Sequence, residues 1–183
     1  MKYKTWLFIA IIIFVISIVV GLATPDSISR LMAEDIAALE ELAGMLASLP
    51  PALIAVIIFL KNSLSLLVSF FLSPILCLTP LLALTINGWL VGWISAIVIE
   101  KESLGVLLAG LLPHGVIEIP AFIIGEAAAL SFGSLVIVSL FKKETRSLLW
   151  PRFKQNLRYL AIALALLVPA ALIEAFITPL FMK

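Results

Sequence analysis

Seven polar or ionisable side chains stand inside long apolar runs of this sequence: Lys61, Asn62, Asn87, His114, Glu118, Glu126 and Glu174. His114 and Glu118 are four residues apart, so a helix puts them on one face, and Ala121 and Gly125 extend that face with small residues. An imidazole beside a carboxylate at a break in a membrane helix suits the handling of a proton or another ion. The same pair also reads as a buried hydrogen-bonded lock on helix packing. Pro113 precedes the pair, and Pro120 removes a backbone donor beside Glu118. Two ligands are too few for a zinc site. His114 is the only histidine and no cysteine is near, so neither a metal nor a cofactor is expected. The chain has no His-Glu-x-x-His helix, no Gly-x-Ser-x-Gly and no Ser–His pair with an evident orienting partner. No catalytic residue is therefore expected, and the chain does not read as an enzyme.

The other polar residues pose a question of cost. Lys61 lies ten residues into its apolar run, about 15 Å at a rise of 1.5 Å per residue. At that depth a charge calls for an acidic partner, and Glu118, Glu126 and Glu174 are the candidates. Asn62, Ser65, Ser69 and Ser73 form a polar stripe, and Asn62 is placed to bond Asn87 across a helix interface. Gly88, Gly92 and Ala96 repeat every fourth residue, as do Thr79, Ala83 and Asn87, which lets helices approach closely. Asn87-Gly88 is alternatively a place where a helix opens locally. Glu126 lies off the His114 face and points at another helix or another subunit. Glu174 lies near the end of the last apolar run and is expected to reach the membrane interface.

What positions these residues is a membrane. Hydrophobic residues make up 63% of the 183 and charged residues 13%, with a mean hydropathy of +1.25. A soluble domain carries about a quarter charged residues and cannot hide this much apolar surface. The whole chain reads as a single all-α membrane domain of about five transmembrane helices, over residues 6–23, 52–73, 74–99, 116–140 and 159–178. The apolar stretch 104–141 is too long for one span of roughly 20 residues. Pro113-His114-Gly115 interrupts it, which predicts a re-entrant or half-helix over 104–112. Residues 24–50 carry Asp26, Glu34, Asp35, Glu40 and Glu41 against Arg30, a net −4. Leu31, Ala38, Leu42, Met45 and Leu49 recur there near helical spacing, which predicts an amphipathic extracytoplasmic helix. The first run also resembles a secretory signal, but its length favours a retained helix. Cys77 reads as a small packing residue.

Residues 142–158 hold six basic side chains against Glu144, a net +5. The positive-inside rule makes this loop cytoplasmic. Counting back through five spans puts the N-terminus, with Lys2 and Lys4, in the cytoplasm, the acidic segment outside and the C-terminus outside. The expected location is the cell membrane. A net charge of +1 offers no field for nucleic acid, so no nucleic-acid partner is expected. Membrane lipid is the default partner of the basic loop.

Three stretches carry a family resemblance: Phe59-Leu60-Lys61-Asn62, Asn87-Gly88-Trp89-Leu90-Val91-Gly92, and Leu112-Pro113-His114-Gly115-Val116-Ile117-Glu118-Ile119-Pro120-Ala121. Over residues 50–180 the chain resembles the stage II sporulation protein M family of multi-span membrane proteins. Glu126 stands where small or apolar residues are usual in that family, and Ala129 where glycine is expected. The residues carried over are Asn62, Asn87, Gly88, Pro113, His114, Glu118 and Pro120. The family's namesake resembles a scaffold that holds wall-degrading partners, so the resemblance implies a scaffold or subunit of a membrane complex. The polar residues keep a second expectation open, a small transporter or channel component with His114 and Glu118 on its path. The stray carboxylates and small-residue faces make a homodimer plausible.

Overall fold

The computed structural model describes residues 2–25, 27–28, 41, 44 and 48–181. Among the described residues five long helices dominate: α1 (Tyr3–Leu22), α2 (Pro51–Leu72), α3 (Leu78–Lys101), α4 (Leu104–Phe141) and α5 (Leu149–Phe176), followed by a short α6 (Thr178–Phe181). Each long helix is sufficiently apolar to cross a bilayer, and no strand occurs among the described residues. The protein is an all-α membrane protein. Local sequence sets several helix starts. Pro51 opens α2 at a position where its missing N–H is not needed. Ser103 caps α4, its hydroxyl accepting from the Val106 amide at 3.2 Å.

α4 is the hub and packs against all four other long helices. Its Ala127, Ala128 and Ala129 are completely buried, which small side chains permit by letting backbones come close. The tightest crossing joins α1 to α3. A Cβ on Gly88 would stand 2.7 Å from the Phe14 carbonyl oxygen, and Cβ atoms on Gly21 and Gly92 would collide with the backbones of Trp89 and Ile18. α1 is also tied to the hub. The Tyr3 hydroxyl donates to the Ile124 carbonyl at 3.0 Å, and its ring stacks on Tyr159 at 3.6 Å. Large apolar side chains such as Phe8, Val19, Leu60 and Leu64 point outward, as they do where lipid is the solvent.

Two expectations need correction. Leu104–Leu112 is not a separate half-helix, because it forms the first turns of a continuous 38-residue α4 that contains both Pro113 and Pro120. A proline deletes one helical hydrogen bond, a loss outweighed by the rest of the helix and by the packing of α4 against the other long helices. The basic 142–158 segment is likewise not a loop throughout. Lys143–Leu148 is a 3-10 helix, and Arg152, Lys154 and Arg158 already lie on α5. Aromatic packing draws this segment into the helix: Phe153 lies 5.2 Å from Phe132 and stacks with Trp150 at 5.7 Å. The amphipathic helix expected over 24–50 falls mostly outside the described residues.

The α2–α3 connection is short and uncharged, as expected. Leu76 and Cys77 both adopt left-handed backbone conformations, with φ of 53° and 54°. The turn is held by the Cys77 amide, which donates to the Ser73 carbonyl at 2.9 Å.

Candidate functional site: a polar cluster in the bundle

α2 and α4 start, and α5 finishes, on one side of the bundle, and in that half, about ten residues into α2 and α4, their polar residues meet. Lys61 and Asn62 come from α2, His114 and Glu118 from α4, and Glu174 from α5. The Asn62 amide donates to Glu118 Oε1 at 3.0 Å. One ligating atom each of His114, Glu118 and Glu174 lies within 4.8 Å of the other two. His114 Nδ1 is 3.3 Å from the Thr178 hydroxyl, which also reaches the Ile173 carbonyl at 3.3 Å. Lys61 also lies near Glu174. All three members of the His114–Glu118–Glu174 group are half-buried.

A cavity of about 110 Å³ adjoins the cluster, lined by Lys61, Asn62, Asn87 and Glu118 with Phe14 and Phe122 among its apolar walls. Its lining mixes polar and apolar side chains, and its size would admit a few waters. The site therefore joins ionisable groups, a donor that fixes one carboxylate, and a cavity beside them that polar side chains help to line.

The other expected site residues lie elsewhere. Asn87 does not bond Asn62; its amide donates back to the Ala83 carbonyl at 2.8 Å, because Asn62 is engaged by the nearer carboxylate. Asn87 still shares the cavity wall. Gly88 belongs to the α1–α3 crossing, and α3 runs unbroken through Asn87-Gly88. Pro120 is exposed. Pro113 lines a separate apolar groove with Leu108, Ile173 and Phe181. Glu126 forms a second, enclosed polar spot. It is wholly buried, one oxygen accepts the Ser69 hydroxyl, and the other has no hydrogen-bond partner.

Two things escaped sequence reasoning. Glu174, expected only to reach the interface or to pair with Lys61, is also the third member of the His114–Glu118 group, so the count of two possible ligands becomes three. Thr178, the imidazole's partner, carried no signal beyond being a hydroxyl in an apolar run.

A model of the family described as Stage II sporulation protein M matches residues 10–179. The match takes in most of α1 as well as the region that holds the quoted motifs. An uncharacterized protein of Methanocaldococcus jannaschii is 35% identical over 103 residues, which is 56% of this chain and 58% of that protein. The matched region thus spans less than two thirds of that relative's length. No solved structure matches the chain.

Proposed function

We propose a function on the premise that this chain belongs to the Stage II sporulation protein M family: it is a membrane-embedded scaffold or subunit of a larger membrane complex. The observation that carries the reading is the outer face of α2 and α3. Lys61, Ser65 and Asn87 line the cavity beside Glu118 and are exposed at its mouth on α2 and α3, although they lie well inside spanning helices. Hydrocarbon cannot satisfy an ammonium and an amide, so such residues face protein or water. A partner subunit or a second copy of the chain covers them in this reading. The test uses Ser65→Cys and Asn87→Cys in native membranes. Each is expected to cross-link to a discrete partner, whereas Phe8→Cys on the lipid face of α1 is not. Equal cross-linking at all three positions, or none, removes the support. In the same reading the chain is not itself an enzyme. The N-terminus and the basic 142–158 segment face the cytoplasm and the end of α5 faces out, which reporter fusions at each terminus check.

A second reading, a small transporter or channel component, is favoured by the cavity beside Glu118. Ionisable residues around a wet space within a membrane commonly mark an ion path. Proton flux into liposomes, present for wild type and lost in both His114→Ala and Glu118→Gln, is its expected result. Its absence from wild type leaves the scaffold reading.

A further inference from the structure

The geometry points to a binding site for one divalent transition-metal cation, held by His114, Glu118 and Glu174. The inference is independent of whether the chain scaffolds or transports. First-row cations bind imidazole nitrogen and carboxylate oxygen at about 2.0–2.2 Å, so ligands of one ion stand up to roughly 4 Å apart. The three candidate atoms already lie within 4.8 Å of one another, and small side-chain rotations bring them onto a common ion. An imidazole in the set selects a transition metal over calcium or magnesium.

Two further contacts resemble the outer support that metal ligands receive. A ligating histidine usually spends its other ring nitrogen on a hydrogen bond, and ligating carboxylates are themselves held by donors. The Thr178 hydroxyl engages His114 Nδ1, leaving Nε2 for the ion. Asn62 holds Glu118 through Oε1, leaving Oε2. Of the three candidate ligands, Glu118 also lines the cavity, so water or a small anion would have a way to the site.

Charge points the same way. Two carboxylates this close repel one another, and burial within a bundle sharpens the repulsion. Lys61 provides one compensating charge near Glu174, but its side chain is exposed and has room to swing away when an ion enters. A divalent cation neutralises both carboxylates without it.

The competing account is an ion-pair network in which Lys61 alone balances the carboxylates. Calorimetric titration of the detergent-solubilised full chain with Zn²⁺, Mn²⁺ and Co²⁺, after chelator treatment, separates the two. Wild type is expected to take up about one equivalent of at least one of these ions, with a rise in unfolding temperature. Glu174→Gln and His114→Ala are expected to abolish saturable uptake. Thr178→Val is expected to weaken it by about 10- to 100-fold, and Glu126→Gln to leave it unchanged. Circular dichroism of the metal-free variants distinguishes lost ligation from lost folding. Lys61→Gln discriminates independently: a cation site binds as tightly or more tightly without the lysine. The proposal is overturned if wild type shows no saturable uptake of any of the three ions, or if Lys61→Gln abolishes binding while the helices stay folded.

Discussion

The side-chain amide of Asn62 on α2 donates to Glu118 on α4 at 3.0 Å, across 56 residues of sequence. One bond thus links two of the stretches that carry the family resemblance, and it orients a carboxylate next to a cavity. Hydrogen bonds between membrane helices average only about 0.6 kcal/mol and reach about 1.7 kcal/mol. The expected coupling energy between Asn62→Ala and Glu118→Gln in a double-mutant cycle is about 1 kcal/mol, read from unfolding in denaturing detergent. Additive effects of the two substitutions contradict the linkage.

The α1–α3 crossing has no room for side chains at Gly21, Gly88 and Gly92. Gly92→Val is expected to destabilise the fold by about 3 kcal/mol, at the upper end of overpacking costs, and to loosen α1. Protease access to the α1–α2 connection monitors the second effect. Gly105→Ala serves as the control. It meets only the Ser103 hydroxyl at 3.6 Å, and removing a helical glycine stabilises by up to about 1 kcal/mol.

The α2–α3 turn holds two consecutive non-glycine residues in the left-handed region. Such a residue costs roughly 1–2 kcal/mol. Leu76 is 75% exposed and packs little, so Leu76→Gly is expected to gain about 1 kcal/mol. A higher unfolding temperature in thermal denaturation is the expected reading, and a lower one shows that Leu76 makes contacts worth more than its strain.

Cys77, in the same turn, is buried, and burial pushes its thiol pKa up. The folded state therefore holds the thiol proton more firmly than the unfolded chain. The associated stabilisation is present below the ordinary thiol pKa of about 8.5 and is lost as pH rises through the higher folded value. Maleimide labelling is expected to be slow at neutral pH and to accelerate on unfolding. Rapid labelling of the folded protein contradicts the burial.

The sequence made the membrane class legible because lipid demands the same thing of every spanning helix, an apolar run of sufficient length. Leu78–Lys101 and Pro51–Leu72 begin and end within four residues of the expected bounds. The His114–Glu118 face was equally visible, since spacing within one helix is a local property. The place of Glu174 was not, because it depends on how α5 lies against α4 and no periodicity encodes that. Pro113 misled in the opposite sense. Proline carries a strong local signal for a break, but the bundle around α4 overrides it. Trp150 and Phe153 likewise turned an expected basic loop into the first turns of a helix through tertiary packing.

At 38 residues α4 is about 57 Å long at 1.5 Å per residue, against a hydrocarbon thickness of about 30 Å. A straight rod of that length would need to lean by roughly 60° to fit, beyond the 0–40° found among membrane helices. Part of the rod must leave the hydrocarbon, its axis must bend, or the sheet of lipid around it must swell. The weakest joints in the rod are its two prolines, and His114 and Glu118 lie between them. Thickening or thinning of the surrounding bilayer would thus strain the helix where its imidazole and carboxylate are mounted.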